Sequence, residues 1–475
     1  MSRHRPRPIR SLTATATAAA LAMAALALAS RPAATAPGAD APGAPELPFE
    51  RHKLANGLEV ILHEDHRIPQ VAVDVWYKVG SKDEQPGRTG FAHLFEHVMF
   101  QGSKHVGEDK HFEYLQKAGV SSANGSTSED RTNYFEVVPS NQLELALWLE
   151  SDRMGFLLDR AGLQQTLDGQ RDVVKNERRQ RVENRPMGLV TKVTLEALYP
   201  PTHPYHHEVI GSMEDLSVAS LDDVRQFFQR WYVPNNATLV LAGDLDRARA
   251  LELVEKYFGS IPAGPPVERA PAPPPPALDR ERRLALEAKV QQPQLFIDYL
   301  SPPVFSAGDH QMDIAAQLLG GGKASRLYRR LVYDLRIAQS VTAAQQSQQL
   351  ASVFEITATP LPGHTLDEIL KVIDEEIEKL RTAPVDVREL ERAKNQIEFD
   401  LLRSLESVLA RAERLQTYNY LAGDPGHLGK DLAAYQAVDT AAVQRAVTQH
   451  LRKDARVVVT VSPNPDAPIM GRLKP

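Results

Sequence analysis

The sequence predicts a duplicated α+β protein with largely antiparallel sheets, and three observations carry that expectation. The chain repeats itself, a proline-dense stretch separates the copies, and strand-like segments alternate with helix-like ones over short connections. At 475 residues the chain is too long for one compact core, so two domains are expected. A hydrophobic fraction of 42% and a charged fraction of 24% describe an ordinary globular protein and exclude a disordered or fibrous one.

The chain begins MSRHRPRPIR, with four arginines and no acid, and runs into SLTATATAAALAMAALALAS, which reaches a small-x-small signal at Ala27-Leu28-Ala29. That is the pattern of a secretory signal peptide (1–29), followed by an Ala/Pro/Gly leader (30–46). The apolar core is too short and too rich in alanine and threonine for a membrane anchor, so the mature chain is expected to be exported, to a bacterial periplasm, without a membrane span. Losing four arginines would take the formal charge from −6 to about −10, which argues against a nucleic-acid partner. The chain has no cysteine, which excludes disulfides, thiolate nucleophiles and a lipid-carrying cysteine.

The internal repeat fixes the expected domains. PQVAVDVWY from Pro69 matches PQLFIDYLS from Pro293, both with the alternation of a half-buried strand. After a short slip, YFEVVP (134–139) matches VFEITA (353–358), VVKNE (173–177) matches RAKNQ (392–396), and ATLVLA (237–242) matches RVVVTV (456–461). Collinearity gives these short matches their weight. Helices are expected over 140–158, 161–184 and 365–382. The expected domains are 47–261 and 281–475, joined by a semi-rigid proline-rich linker at 262–280.

Residues 90–100, GFAHLFEHVMF, hold the chemistry. On a helix, residues four apart lie about 40° apart around the axis, so His93 and His97 share a face that one metal ion can bridge. Glu96 falls to the other side of His93, where it can reach a metal-activated water without being a ligand; the order H-x-x-E-H is the inverted form of the H-E-x-x-H zinc motif. Phe91, Leu94, Phe95, Val98, Met99 and Phe100 make the segment apolar on several sides, a poor setting for two ordinary solvated histidines. In the second copy the equivalent positions are Gln317, Gly320 and Gly321, so the fold itself does not require the motif.

Five further stretches, LANGLEVILHED, GSKDEQPGRTGFAHLFEHVMFQGS, ANGSTSEDRTNYFEVVP, NERRQRVEN and HPYHHEVIGSMEDL, together with the two-copy layout, resemble the pitrilysin/insulinase family (M16) of zinc metallopeptidases, in its short two-domain bacterial form akin to processing-peptidase subunits. The resemblance implies two homologous domains, each a mostly antiparallel sheet with helices packed on one face. It also implies a Zn2+ cofactor with Glu177 as third ligand; the repeat partner of Glu177 is Gln396, and the nearby Glu183 reads as a solvated side chain. The implied reaction is endoproteolysis of short or unfolded peptides, with Glu96 moving a proton from water to the leaving amine. Family members bind the peptide as an added strand, which implies contacts at Asn124 and Gly125, although Asn-Gly is equally a hairpin-turn signal.

The chain also departs from the family pattern. A supporting glutamate seven residues before the third ligand is Gln170 here. An arginine and a tyrosine that family members place in the second half are Val332 and Gln339. That gap implies a heterodimer with a homologous chain carrying the Arg/Tyr pair, with a homodimer as the alternative. A catalytically silent structural or peptide-binding subunit is the competing function. His203, His206 and His207 have no ligand spacing and read as a surface loop.

Overall fold

A computed structural model of the chain describes residues 46–474. The expected signal peptide and the leader up to residue 45 lie outside the described residues. In chain order the first half holds strands β1 (Glu50–Lys53), β2 (Glu59–Glu64), β3 (Gln70–Tyr77), β4 (Ser122–Thr127), β5 (Thr132–Pro139) and β6 (Ala237–Gly243). Its helices are α1 (Phe91–Val98), α2 (Lys110–Lys117), α3 (Leu143–Phe156), α4 (Leu163–Arg178), α5 (Leu189–Leu198), α6 (Met213–Val218), α7 (Leu221–Trp231) and α8 (Arg247–Phe258). The second half holds β7 (Arg282–Ala288), β8 (Gln294–Ser301), β9 (Ala338–Gln346), β10 (Ser352–Pro360), β11 (Val457–Pro463) and β12 (Arg472–Leu473). Its helices are α9 (Asp309–Gly320), α10 (Leu366–Thr382), α11 (Val387–Ser404), α12 (Val408–Thr417), α13 (Leu428–Ala437) and α14 (Thr440–His450).

The duplication is visible in strand order. One sheet runs β1-β2-β6-β3-β5-β4 and the other β12-β7-β11-β8-β10-β9. The repeated sequences therefore occupy equivalent strands: β3 with β8, β5 with β10, and β6 with β11. Each sheet is antiparallel except for one parallel pair, β2 with β6 and β7 with β11. The fold is mixed α+β, as expected.

Each half packs its own helices on one face of its sheet. Leu239 and Leu241 of β6 meet the core under α1, α3, α4, α7 and α8, while Leu295, Ile297 and Tyr299 of β8 do the same under α9, α10, α11 and α14. The opposite face of each sheet is covered by the other half. Ile61, Ala72, Val240 and Ala242 pack on Val408, Ala412 and Leu415 of α12, and Val353, Val457, Val459 and Val461 pack on Val190, Val193 and Ala197 of α5. This reciprocal cover explains why β6 reads as a continuous apolar run: both of its faces are buried. Full burial of a large aliphatic side chain is worth roughly 1.5–3 kcal/mol, so the exchanged helices join the halves strongly. Gln416 of α12, fully buried, fixes the register by donating to the main-chain oxygens of Asp74 and Thr238 at 2.9 Å each.

The proline-rich stretch carries no regular structure, and it lies along the first half. The Gly264 amide donates to Asn235 Oδ1 at 2.8 Å, and Arg269 pairs with Asp83 at 3.1 Å above the Trp231 ring. Among the described residues no helix is long and apolar enough to cross a membrane.

Candidate metal centre

The helix that carries the motif is short, and its entry is clamped. Gly90 precedes α1 with φ of 87°, and a Cβ there would stand 2.6 Å from the Ile210 carbonyl oxygen, so only glycine fits. Glu84, fully buried, accepts the free amides of Gly90 at 2.9 Å and Ala92 at 2.7 Å, two of the donors a helix start leaves unmet. Phe91, Leu94, Phe95 and Val98 enter the first core, with Phe95 against Phe227, Phe228 and Tyr232. This anchoring leaves His93, Glu96 and His97 on the open side.

Helix α4 packs beside α1 through Leu163, Leu167 and Val174 and brings up Glu177. One Glu177 oxygen lies 3.2 Å from His97 Nε2 and 3.7 Å from His93 Nε2, while the other pairs with Arg181 at 2.9 Å. The hydrogen bond with His97 holds the Glu177 carboxyl below its ordinary pKa, and the Arg181 guanidinium adds to this. Burial, reinforced by His97, keeps His93 well below the usual histidine range and therefore neutral, the form a ligand needs. One donor atom from each of the three residues lies within 4.8 Å of the other two. Two imidazoles and a carboxylate on one side of an open cleft are a donor set of catalytic zinc sites, so these residues fit the metal.

Glu96 stands apart from the three. Burial raises its carboxyl, and Oε2 accepts the Thr127 hydroxyl at 2.7 Å. Thr127 closes β4, the outermost strand of its sheet, on which Asn124 and Gly125 also lie. The Asn-Gly pair is thus mid-strand, with Gly125 in register with Tyr134, and the hairpin turn falls later, around residues 128–131. Asn124 Oδ1 accepts the Gly125 amide at 2.9 Å. A Cβ on Gly125 would come within 3.0 Å of Glu96 Cγ and of the Phe100 ring. Gln170 lines the same cleft, of about 780 Å³, together with the motif residues.

Other expectations resolve differently. Glu183 pairs with Arg178 at 3.1 Å and stays out of the cluster. The histidine loop is not a free surface: His203 is buried, stacked on Tyr199, and its Nδ1 accepts the Tyr205 amide, because α5 and the second sheet close over the loop. Val332 packs against the second core and Gln339 sits on β9. His111, Glu136 and Glu150 form a second, fully buried grouping, where Arg153 already supplies the positive charge through its pair with Glu150. Sequence reasoning missed Glu84 and Thr127; neither has a spacing to the motif that a linear pattern would register.

The fold and this donor set define a two-domain protein of metallopeptidase architecture. The description "Insulinase (Peptidase family M16)" fits residues 59–204, and "Peptidase M16 inactive domain" fits residues 219–397. The zinc protease PqqE of Helicobacter pylori is 30% identical over 360 residues, 74% of this chain and 79% of that one. The uncharacterized zinc protease YmxG of Bacillus subtilis is 24% identical over 88% of this chain and 99% of its own. Among solved structures, a protease from Helicobacter pylori superposes with a TM-score of 0.79 at 28% identity, over 88% of this chain and all of that one. The periplasmic protease PqqL from Escherichia coli, at 20% identity, shares the fold with a TM-score of 0.74 over 88% of this chain and 48% of its own. The chain belongs to peptidase family M16.

Proposed function

We propose that the chain is an exported zinc-dependent endopeptidase subunit that hydrolyses short or unfolded peptides. The observation that carries this reading is the convergence of His93, His97 and Glu177 beside a buried Glu96 and an edge strand. When bound, zinc would supply Lewis acidity, acidifying a water and polarising a carbonyl. Glu96, whose carboxyl burial raises, accepts the proton of the attacking water and returns it to the leaving amine. The outer edge of β4 takes the peptide as an added strand, with Asn124 and Gly125 next to the scissile bond. Main-chain pairing of this kind fixes direction without reading side chains, and it requires an extended substrate.

Export rests on the N-terminal segment, and a periplasmic protease among the fold relatives agrees with it. The absent Arg/Tyr pair supports a heterodimer with a homologous chain that carries it, with a homodimer as the alternative. A catalytically silent subunit is the competing reading; the intact metal set speaks against it.

The test is cleavage of an unstructured quenched-fluorescence peptide by the zinc-loaded mature chain, alone and together with a homologous chain that carries the Arg/Tyr pair, and by the same preparations with Glu96→Gln. The expected result is equal zinc content and a loss of roughly 100-fold or more in cleavage for the variant. Chelation should remove both activity and a part of the thermal stability. Cleavage unchanged in Glu96→Gln, or no zinc in the wild type, would refute the reading.

A further inference from the structure

The β4–β5 hairpin carries the edge strand and, through Thr127, holds Glu96; its tip, residues 128–131, is met by the other half. Asp130, buried at that tip, makes most of the contact. One of its carboxylate oxygens accepts the Tyr205 hydroxyl at 2.6 Å, and the other accepts the main-chain amide of Gln349 at 2.9 Å. Its carbonyl oxygen accepts the Tyr420 hydroxyl at 3.1 Å and the Lys82 ammonium at 2.8 Å. Tyr205 follows α5 and itself accepts the Leu350 amide at 3.0 Å, while Tyr420 follows α12. A phenol beyond each exchanged helix therefore closes on the same residue.

Gln349 and Leu350 lie in the turn between β9 and β10, which occupy the places of β4 and β5 in the second sheet. Gln349 is also the repeat counterpart of Asp130, by the same offset that pairs Tyr134 with Val353. The hairpin beside the metal centre thus meets its own metal-free copy tip to tip. Cohesion of the halves does not require this contact, because α5 and α12 already join them through apolar packing. Apolar burial is non-directional, whereas a buried carboxylate with both oxygens engaged fixes position and orientation.

We infer that Asp130 is a positioning residue: through it the half without metal ligands sets the hairpin tip, and with it the Thr127 hydroxyl and Glu96. The stretch between Thr127 and Asp130 transmits this, since the Ser128 and Glu129 carbonyls accept the amides of Ser81 and Lys82 at 3.1 and 3.0 Å, and Arg131 donates to the Ser126 carbonyl at 2.9 Å. A shift at the tip therefore reaches Thr127. The metal-free copy serves as the template against which the catalytic hairpin is aligned. The effect on catalysis rests on the peptidase reading; the effect on the strand does not.

The experiment reads the two separately. In cleavage of the quenched-fluorescence peptide by the zinc-loaded preparations, Asp130→Ala should lower kcat about tenfold with little change in KM and equal zinc content, and Asp130→Asn, which keeps one acceptor oxygen, should recover part of the rate. In a Thr127→Val background Asp130→Ala should cost less than about twofold, because both residues act on Glu96 by one route; a general weakening of the fold would multiply instead. Hydrogen exchange reads the strand without cleavage: residues 122–127 should exchange about tenfold faster in Asp130→Ala while α12 keeps its wild-type protection. Should Asp130→Ala fail to fold, Tyr205→Phe removes one donor to the carboxylate and should give the same pattern at about threefold. Unchanged exchange in β4, or a loss that multiplies with Thr127→Val, overturns the inference. Cleavage indifferent to Asp130 sinks the positioning role and keeps the peptidase, whereas faster exchange in β4 with no cleavage even by the wild type keeps the contact and sinks the peptidase.

Discussion

The Thr127 hydroxyl donates to Glu96 Oε2 at 2.7 Å, which ties the motif glutamate to the end of the edge strand. With one carboxylate oxygen held, the other is left to face the cleft in a single orientation. Thr127→Val should therefore lower kcat by about tenfold with little change in KM, because alignment of the proton acceptor is lost and the strand edge is not. Thr127→Ser should recover most of the rate. Equal kcat for Val and Thr at this position would rule out an orienting role.

Gly125 has its own prediction. Its missing side chain leaves room for Glu96 Cγ and Phe100 Cε2, each 3.0 Å from where a Cβ would sit, and for Tyr134 at 3.2 Å. Gly125→Ala should displace Glu96 by a few tenths of an ångström and cut cleavage by roughly 10- to 100-fold. Zinc content should hold, since the atoms nearest the added methyl belong to Glu96, Phe100 and Tyr134 and not to the three ligands. Steady-state kinetics beside metal analysis would separate these effects.

Glu84 predicts a coupling between the start of α1 and metal affinity. Glu84→Ala leaves two buried amides without acceptors and should cost about 2 kcal/mol or more in a urea titration. Zinc should also bind more weakly, because His93 and His97 sit within two turns of the loosened end. Glu84→Gln keeps one acceptor oxygen and should fall between. Unchanged zinc affinity in Glu84→Ala would show that α1 is held by its core face alone.

The second half predicts a pH dependence of stability. Burial, opposed by a hydrogen bond from Tyr435 at 2.6 Å, pushes Asp313 up from 3.8 to about 7. The folded state thus keeps a proton that the unfolded chain releases, so this stability is present at low pH and is lost as pH rises from about 4 through about 7. Burial works against a charged His310, but its bond to Asp431 at 2.8 Å raises it, and that contribution is likewise lost as pH rises above the ordinary histidine range. Melting temperature should fall between about pH 4 and pH 7, and Asp313→Asn should flatten part of the fall, worth up to about 4 kcal/mol. A pH-independent difference between variant and wild type would contradict the assignment.

Several of these features were legible before any fold was known, and others were not. The repeat matched β3 to β8, β5 to β10 and β6 to β11, and the helices expected at 140–158, 161–184 and 365–382 contain α3, α4 and α10. The spacing of His93 and His97 placed both on one helical face. Glu177 came only with the family resemblance, because nothing in NERRQRVEN distinguishes it locally from Glu183. The open choice at Asn124-Gly125 closed in favour of a strand, since β5 captures the segment along its length and the turn forms later.

By itself the sequence determined what is written within a few neighbouring residues: helical and strand periodicity, the two-copy organisation, and the local order of histidines and glutamate. Those patterns depend on backbone geometry that repeats every two or four residues. Only the tertiary structure decided the exchange of α5 and α12 between the sheets, the Glu84 clamp, the bond from Thr127 to Glu96 and the bond from Gln349 to Asp130. The last pair lies 219 residues apart in the chain, brought together where the two hairpin tips meet. Such relationships arise from packing many side chains at once, and a single carboxylate in a turn looks the same on paper whether it meets water, an arginine or the amide of a distant copy.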